Sequence, residues 1–248
     1  MEKVKTLYLD IETSSATVST FSIWNTNIGI NQISIPISMI SFAAKWEGSR
    51  TTMFYSTFHN GKEEMVKQAH RLLSECDCLV TYNGNNFDIK HLNREFLQMG
   101  LLPPSPYKSL DLMVATKAKF RFMSNKLQWI STQLGLSGKV QHEGFGLWEK
   151  CLAGDKAAWN KMRTYNKKDV TLLEDLHKIL LPWIDNGPNK ALIDGVENGC
   201  RNCAGTNFER RGYYYTYACR YQRFVCKDCG KWSRSNKPLA GVTMVEAR

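Results

Sequence analysis

A short apolar run near the N-terminus ends in two carboxylates, and this segment constrains the fold more than any other. The Leu-Tyr-Leu run within Thr6–Thr13 (TLYLDIET) predicts a buried strand. Because side chains two positions apart in a strand point to the same face, Asp10 and Glu12 project side by side while Ile11 points into a core. A divalent cation with oxygen ligands would relieve the repulsion between the two carboxylates. An exposed acidic pair at the end of a strand is the alternative, and the segment alone does not decide between them.

The remaining apolar pattern predicts a mixed sheet covered by helices. After a first strand at residues 6–9, an extended loop over residues 14–36 leads to two strands that pair with the first as an antiparallel hairpin or meander. Helical spacing alternates with a short buried strand in the following part of the chain. The predicted strands are residues 37–46, 51–55 and 78–82, and the predicted helices are residues 62–75, 87–97, 126–134 and 147–181, with a break at 154–155. Residues 109–115 fit a strand or a brief helix, and Asp111 within them fits a turn or cap.

Length and composition bound the architecture and the location of the protein. A chain of 248 residues has room for one good-sized domain and a small one. We expect domains at residues 1–185 and 199–248, joined by a linker at 186–198 that begins with Asn-Gly-Pro-Asn. No apolar run approaches the ~18 residues of a membrane span, and the N-terminus lacks the apolar region of a signal peptide. We therefore expect no membrane association and a cytoplasmic location, in the host cytoplasm if the chain is viral.

The formal net charge of +10 is concentrated toward the C-terminus. Residues 186–248 contain 11 Lys and Arg against 5 Asp and Glu, whereas the first 185 residues contain 22 against 18. A compact basic section predicts a polyanionic partner, most often nucleic acid. A merely soluble surface is the alternative that composition leaves open.

Two further carboxylates lie in short motifs later in the chain. Asp88 ends the segment YNGNNFD at the start of a predicted helix, where the helix dipole favours a negative charge. Asp169 ends the segment YNKKD and shares a helix face with Tyr165, four residues earlier. Taken alone, Asp88 also fits a structural cap, and Tyr165 also fits a buried aromatic residue on the inner face of its helix.

Together, LDIET, YNGNNFD and YNKKD resemble, in this order, the three motifs of the DEDD 3′–5′ exonucleases, the DnaQ-like branch of the ribonuclease-H-like fold. Asn83, Phe87 and Asp88 match the N-x-x-x-F-D form of the second motif. Tyr165 and Asp169 match the Y-x-x-x-D form of the DEDDy subtype. The resemblance is closest to proofreading-type and phage-type enzymes, and it implies an α/β fold with a ribonuclease-H-like mixed sheet flanked by helices.

The resemblance also implies the chemistry of the site. The carboxylates of Asp10, Glu12, Asp88 and Asp169 would hold two Mg²⁺ or Mn²⁺ ions, and Tyr165 would orient the attacking water. Thr13, Asn83 and Phe87 are candidate substrate contacts, although Asn83 fits a structural role in its turn and Phe87 fits core packing equally well. His142 and Trp148 flank a glycine-containing loop that is a candidate lid, with packing as the alternative.

These motifs predict a metal-dependent 3′–5′ exonuclease that acts on DNA, preferably at single-stranded 3′ ends. A 3′–5′ exoribonuclease is the near alternative. The other alternative functions are a structure-specific endonuclease and a non-catalytic nucleic-acid-binding adaptor. A replication or repair protein is a candidate partner in addition to nucleic acid. The lengths of products from end-labelled strands discriminate among these functions.

Four cysteines near the C-terminus form two CxxC pairs, which resemble a zinc ribbon. Cys200, Cys203, Cys226 and Cys229 supply the four thiolates of a structural Zn²⁺ site, and the 22-residue spacer predicts a long hairpin. A domain of this size needs such a metal because it buries little core of its own. The hairpin interleaves basic and aromatic residues, which favours nucleic-acid binding over docking to a protein. The candidate contacts are Arg210, Arg211, Arg220 and Arg223.

Overall fold

The computed structural model describes residues 3–24, 27–136 and 144–244. It divides into two compact units, the first comprising Lys5–Leu176 and the second beginning at His177 and including Val4 near the N-terminus. The boundaries at residues 185 and 198 stay predictions. No helix among the described residues is long and apolar enough to cross a membrane.

The first unit is built on a mixed sheet. The strands of this unit are β1 (Thr6–Thr13), β2 (Thr17–Val18), β3 (Ile33–Ile35), β4 (Met39–Trp46), β5 (Met53–Ser56), β6 (Cys78–Thr81) and β7 (Lys108–Asp111). Five of them form the sheet, in the order β5-β4-β1-β6-β7. Strands β1, β4 and β5 form the antiparallel meander, whereas β6 and β7 run parallel to β1. A separate two-stranded pairing, β2 with β3, lies within the segment between β1 and β4.

Helices cover this sheet. They are α1 (Thr57–Asn60), α2 (Lys62–Glu75), α3 (Asp88–Gln98), α4 (Leu112–Lys119), α5 (Leu127–Gln133), α6 (Phe145–Leu152) and α7 (Lys156–Leu180), and a 3₁₀ turn spans Ile30–Gln32. The main core unites Leu7, Leu9 and Ile11 of β1 with the buried residues of α2 and α3. A second cluster contains Trp159 and Tyr165 of α7. The alternation of β1 thus directs Ile11 into the main core.

Several elements differ from the sequence-based boundaries. β1 continues through Thr13, because its pairing with β4 extends that far, so Asp10 and Glu12 lie within the strand. The segment 109–115 is divided between β7 and α4, with Asp111 as the N-cap: its side chain accepts hydrogen bonds from the backbone N–H groups of Met113 and Val114. The break at residues 154–155 separates α6 from α7, as predicted.

The second unit contains a small antiparallel β domain. After the last residues of α7 come a 3₁₀ turn at Leu181–Trp183 and the short helix α8 (Lys190–Ile193). The sheet consists of β8 (Phe208–Tyr215), β9 (Cys219–Cys226), β10 (Trp232–Arg234) and β11 (Ala240–Gly241). Strand β9 is central and pairs with each of the other three, so the predicted long hairpin is β8–β9.

Candidate active site

Three carboxylates converge on one face of the first unit. Asp10 and Glu12 come from β1, and Asp169 comes from α7; each offers an oxygen within 4.8 Å of the others. Asp169 is buried, whereas Asp10 and Glu12 are half-buried. An ion pair between Lys45 of β4 and the buried Glu174 of α7 fixes this helix against the sheet. The arrangement therefore gathers negative charge from two distant parts of the chain.

Asn166 positions Asp10, and sequence reasoning missed it. Its side-chain Nδ2 donates to Asp10 Oδ2 at 2.7 Å and to the Asp10 backbone carbonyl at 3.2 Å. Its Oδ1 accepts a hydrogen bond from Ser41 Oγ at 3.3 Å. Asn166 is fully buried, and it lies directly after Tyr165 in the YNKKD motif. Its place on α7, three residues before Asp169, was the available signal.

Tyr165 lies beside the same carboxylates. Burial raises the pKa of its hydroxyl well above the usual value, and the negative charges of Glu12, Asp169 and Asp10 raise it further. A hydrogen bond with the Asp169 side chain acts in the same direction. The ring of Trp148 packs edge-on against the Tyr165 ring, with centroids 5.9 Å apart. The hydroxyl therefore keeps its proton and acts as a hydrogen-bond donor. His142 lies outside the described residues.

Asp88 lies next to β1 but is not among the three clustered carboxylates. It is the first residue of α3, and its Oδ1 accepts a hydrogen bond from the backbone N–H of Ile11 at 3.0 Å. Burial raises the pKa of Asp88, and this hydrogen bond opposes the shift. The structure therefore places Asp88 against the backbone between Asp10 and Glu12.

The turn that precedes Asp88 is held by Asp111. Asp111 Oδ1 accepts from Asn83 N at 2.9 Å, and its Oδ2 accepts from Asn85 N at 3.2 Å. Asn83 adopts a positive φ of 64°, which Asn tolerates better than most residues. At Gly84, a Cβ would lie 2.2 Å from Thr81 Oγ1, so the turn requires glycine there. Asn83 therefore has a structural part in the turn that delivers Asp88.

Two other candidate contacts lie on accessible surfaces. Thr13 lines a cavity of about 370 Å³ together with residues of α6, among them Phe145 and Trp148. Phe87 is 38% exposed, and its ring contacts the His91 ring with centroids 4.6 Å apart. Both side chains are thus open to a ligand in the first unit.

In the second unit the four predicted cysteines form a compact cluster, with every sulfur within 4.8 Å of the others. The Sγ atoms are 3.6 Å apart for Cys200 and Cys229 and 3.7 Å apart for Cys203 and Cys226. Four sulfurs at ~2.3 Å from a tetrahedral zinc ion would be about 3.8 Å apart, so the set fits Zn²⁺. Cys219 lies in β9 outside this cluster. The four predicted arginine contacts, Arg210, Arg211, Arg220 and Arg223, are exposed on β8 and β9.

Comparisons to known proteins agree with the fold of the first unit. A family model described as the RNase H superfamily matches residues 7–181, a range that contains all four motif carboxylates. No curated protein was found to match the chain. Among solved structures, the family B DNA polymerase from the hyperthermophilic archaeon Pyrobaculum calidifontis matches with a TM-score of 0.54 and 15% identity.

That match covers 88% of this chain and 32% of the polymerase, so this chain spans about a third of the polymerase's length. At such low identity the likeness shows the fold alone. The predicted fold class, a ribonuclease-H-like mixed sheet flanked by helices with a small cysteine-bearing β domain, is confirmed. Since the family model matches well over half of its residues, the chain belongs to the RNase H superfamily.

Proposed function

We propose that this protein is a metal-dependent 3′–5′ exonuclease that hydrolyses DNA from single-stranded 3′ ends and releases nucleoside 5′-monophosphates. The observation that carries the proposal is the convergence of Asp10, Glu12 and Asp169, with Tyr165 hydrogen-bonded to Asp169. Membership of the RNase H superfamily supports a nucleic-acid substrate. The choice of DNA over RNA rests on the resemblance of the three motifs to those of proofreading-type and phage-type exonucleases.

The donor set fits hard divalent cations. Mg²⁺ and Mn²⁺ prefer carboxylate oxygens, and a divalent cation would offset the repulsion among three carboxylates whose oxygens lie within 4.8 Å of one another. Asp10, Glu12 and Asp169 would hold the metal, with Asp88 as the fourth acidic group of a two-metal site. Bound cations would lower the pKa of the attacking water and offset the charge that develops on the scissile phosphate.

The chain's own residues supply positioning. Asn166 fixes the orientation of the Asp10 carboxylate, and Ser41 in turn fixes Asn166. The carboxylate is therefore already oriented before substrate binds. The protonated Tyr165 hydroxyl lies among the carboxylates, where it orients the attacking water rather than removing its proton. The cavity beside Thr13 and Phe145 offers room for a terminal nucleotide.

A cationic segment of the first unit adds support for a polyanionic substrate. Residues 112–136 contain no Asp or Glu, and their basic side chains are exposed. These side chains are Lys117, Lys119, Arg121 and Lys126. Tyr82, which directly follows β6, donates a hydrogen bond from its hydroxyl to the Asn125 carbonyl at 2.7 Å. This bond connects the cationic segment to the start of the turn that leads into Asp88. These cations would attract the phosphate groups of a nucleic acid to the first unit.

The test is a time course on end-labelled single strands of DNA and RNA of the same sequence, with Mg²⁺, with Mn²⁺ and without added metal. A metal-dependent ladder of shortening products from 5′-labelled DNA is expected, with slower cutting of RNA. Discrete internal cuts would identify an endonuclease instead. No cutting under any condition would contradict the proposal and favour a binding protein.

For Tyr165→Phe, we expect kcat to fall by about 10- to 100-fold, because a misplaced water costs orientation but not metal ligation. The Mg²⁺ concentration that gives half-maximal rate should stay unchanged. Tyr107→Phe, at a half-buried tyrosine outside the carboxylate cluster, is the matched control. An unchanged kcat for Tyr165→Phe would show that Tyr165 contributes packing only.

For Asn166→Ala, we expect the half-saturating Mg²⁺ concentration to rise by about 10- to 100-fold, because partners of metal ligands contribute that much to metal affinity or activity. The reason is the lost pair of hydrogen bonds to Asp10. Asn160→Ala, at an exposed position of the same helix, should leave the metal requirement unchanged. A loss of rate that excess Mg²⁺ does not restore, in a protein with unaltered thermal stability, would argue against the positioning role.

A further inference from the structure

One face of the small β domain carries alternating basic and aromatic side chains. In the β8–β9–β10 sheet, Tyr214 lies opposite Tyr221 and Arg223 lies opposite Arg234 in register. Residues paired across two strands share a face of the sheet, and so do residues two positions apart in one strand. These four side chains therefore project from the same side, and Trp232, two positions before Arg234, projects from it too. We call this set (Tyr214, Tyr221, Arg223, Trp232 and Arg234) the stacked face.

The guanidinium groups of the stacked face are held on its rings. Arg234 lies 3.9 Å from the centroid of Tyr221 and 5.5 Å from that of Tyr214. Arg223 lies 4.9 Å from the centroid of Trp232. Cation–π contacts of this kind restrict the long arginine side chains before any partner binds. The face is therefore preorganised.

Arg223 and Arg234 are opposite each other in register, and neither forms an ion pair with a carboxylate in the part of the chain that the structure describes. Among the described residues, no carboxylate lies within salt-bridge distance of Arg223 or Arg234, whereas the nearby Arg211 is paired with Glu209 at 2.8 Å. Like charges directly opposite each other on neighbouring strands destabilise a sheet. One N–H of Arg223 donates to the backbone carbonyl of Arg211, and one N–H of Arg234 donates to the backbone carbonyl of Ser235. Each guanidinium group keeps its other N–H donors for a partner. Both guanidinium groups therefore have N–H donors available for phosphate oxygens.

Two rings of the stacked face, those of Tyr214 and Trp232, are open to solvent, whereas that of Tyr221 is half-buried. Tyr214 and Trp232 are each 47% exposed, whereas aromatic side chains that pack in a hydrophobic core are largely buried. Phosphate oxygens match paired guanidinium groups, and unpaired bases stack on exposed aromatic rings without regard to sequence. A duplex hides its base faces and so leaves the rings unused. Charge complementarity and stacking together therefore favour a single strand.

We infer that the stacked face binds single-stranded nucleic acid, with one backbone phosphate at Arg223, another at Arg234, and bases stacked on Tyr214 and Trp232. The inference goes beyond hydrolysis, because it assigns a binding surface within the second unit and requires no cleavage. It also separates the arginines predicted from the sequence: Arg223 binds phosphate, whereas Arg211 is engaged by Glu209.

The test measures binding of the full-length chain to fluorescein-labelled oligothymidine and oligouridine strands of equal length by fluorescence anisotropy over a range of salt concentrations. Every protein carries Asp10→Asn, and no divalent cation is added, so that a failure of the proposed nuclease activity does not affect the readout. Zinc content and the far-ultraviolet circular dichroism spectrum of each variant establish that the β domain is intact.

The double variant Arg223→Gln/Arg234→Gln should bind more weakly, and the slope of log affinity against log salt should become shallower by about 1.4, the value for two lost phosphate contacts on a single strand. For Trp232→Ala, we expect affinity to fall by about 5- to 150-fold at every salt concentration with the slope unchanged, as for a lost stacking contact. The matched control Arg211→Gln should change neither quantity.

Wild-type affinity and slope in the double variant would overturn the inference and favour docking to a protein. An equal loss in Arg211→Gln would also overturn it, because the effect would then be one of general charge. The comparison of oligothymidine with oligouridine shows whether the face distinguishes DNA from RNA.

Discussion

For Asp10→Ala and Asp169→Ala, we expect the rate of nucleic-acid hydrolysis to fall by about 10³-fold or more. Each substitution removes one of three carboxylates whose oxygens lie within 4.8 Å of one another. A metal ion contributes several kcal/mol of transition-state stabilisation, and each 1.36 kcal/mol corresponds to a tenfold change in rate. The measurement is single-turnover cleavage of an end-labelled strand at saturating Mg²⁺.

The fold should survive both substitutions. Removing one carboxylate from a cluster of like charges relieves repulsion, which offsets the loss of the hydrogen bond that Asp10 accepts from Asn166 or that Asp169 forms with Tyr165. The variants without metal should therefore unfold at a temperature close to that of the wild type. Addition of Mn²⁺ should raise the melting temperature of the wild type but not that of the variants, because only a native state that binds the ion is stabilised by it.

Asp175→Ala is the matched control, since Asp175 is an exposed carboxylate on the same helix as Asp169 and lies outside the cluster. It should retain the wild-type rate and the Mn²⁺ response. Near-wild-type turnover by purified Asp10→Ala would refute the assignment of the metal site.

Local periodicity was sufficient to predict much of this site. The alternation of a strand predicted that Asp10 and Glu12 share a face opposite Ile11, and Ile11 is indeed buried in the main core. Helical spacing predicted that Tyr165 and Asp169 lie on one face of a helix, and the structure joins them by a hydrogen bond. Both predictions depend only on backbone geometry over a few residues.

Contacts between distant segments were beyond such reasoning. Asn166 and Asp10 are 156 positions apart, and an asparagine within a helix gives no indication of its partner. Asp111 fits a cap by its local sequence, but its bonds to Asn83 and Asn85 depend on how β7 lies beside β6. The position of Asp88 against Ile11 likewise depends on the turn that these bonds hold.

The second large effect concerns the zinc cluster. For Cys226→Ser, we expect loss of the bound Zn²⁺ and unfolding of the β8–β11 sheet, while the first unit stays folded. Few residues support this sheet: among the described residues 199–244, those that are buried are Cys200, Asn202, Cys226 and Lys231. Two of the four belong to the cysteine cluster, so a bound metal would take the place of a hydrophobic core.

The size of the effect follows from the coupling of metal binding to folding. Binding of structural Zn²⁺ by small domains contributes about 10–16 kcal/mol, and most of this free energy is folding free energy. Backbone N–H groups of Asn202 and Cys203 donate to the Cys200 sulfur and lower its pKa, whereas burial raises the pKa of Cys229 against a hydrogen bond from the backbone N–H of Lys231. A bound cation would stabilise the thiolate form of all four cysteines. Loss of the ion would leave these sulfurs and their strands without the contact that closes the domain.

Metal analysis and hydrogen exchange provide the measurements, and Cys219→Ser provides the control. Cys219 is on the same strand as Cys226 but outside the cluster, so its substitution should keep one Zn²⁺ per chain and slow exchange in β8 and β9. In Cys226→Ser the amides of these two strands should exchange rapidly, whereas those of β1 and β6 should remain protected, because the main core of the first unit contains none of the four clustered cysteines.

Protection of β8 and β9 after loss of the metal would mean that the exposed tyrosines and arginines hold the sheet together by themselves. The stacked face would then be part of the stabilising contacts of this small domain rather than a surface kept open for a partner.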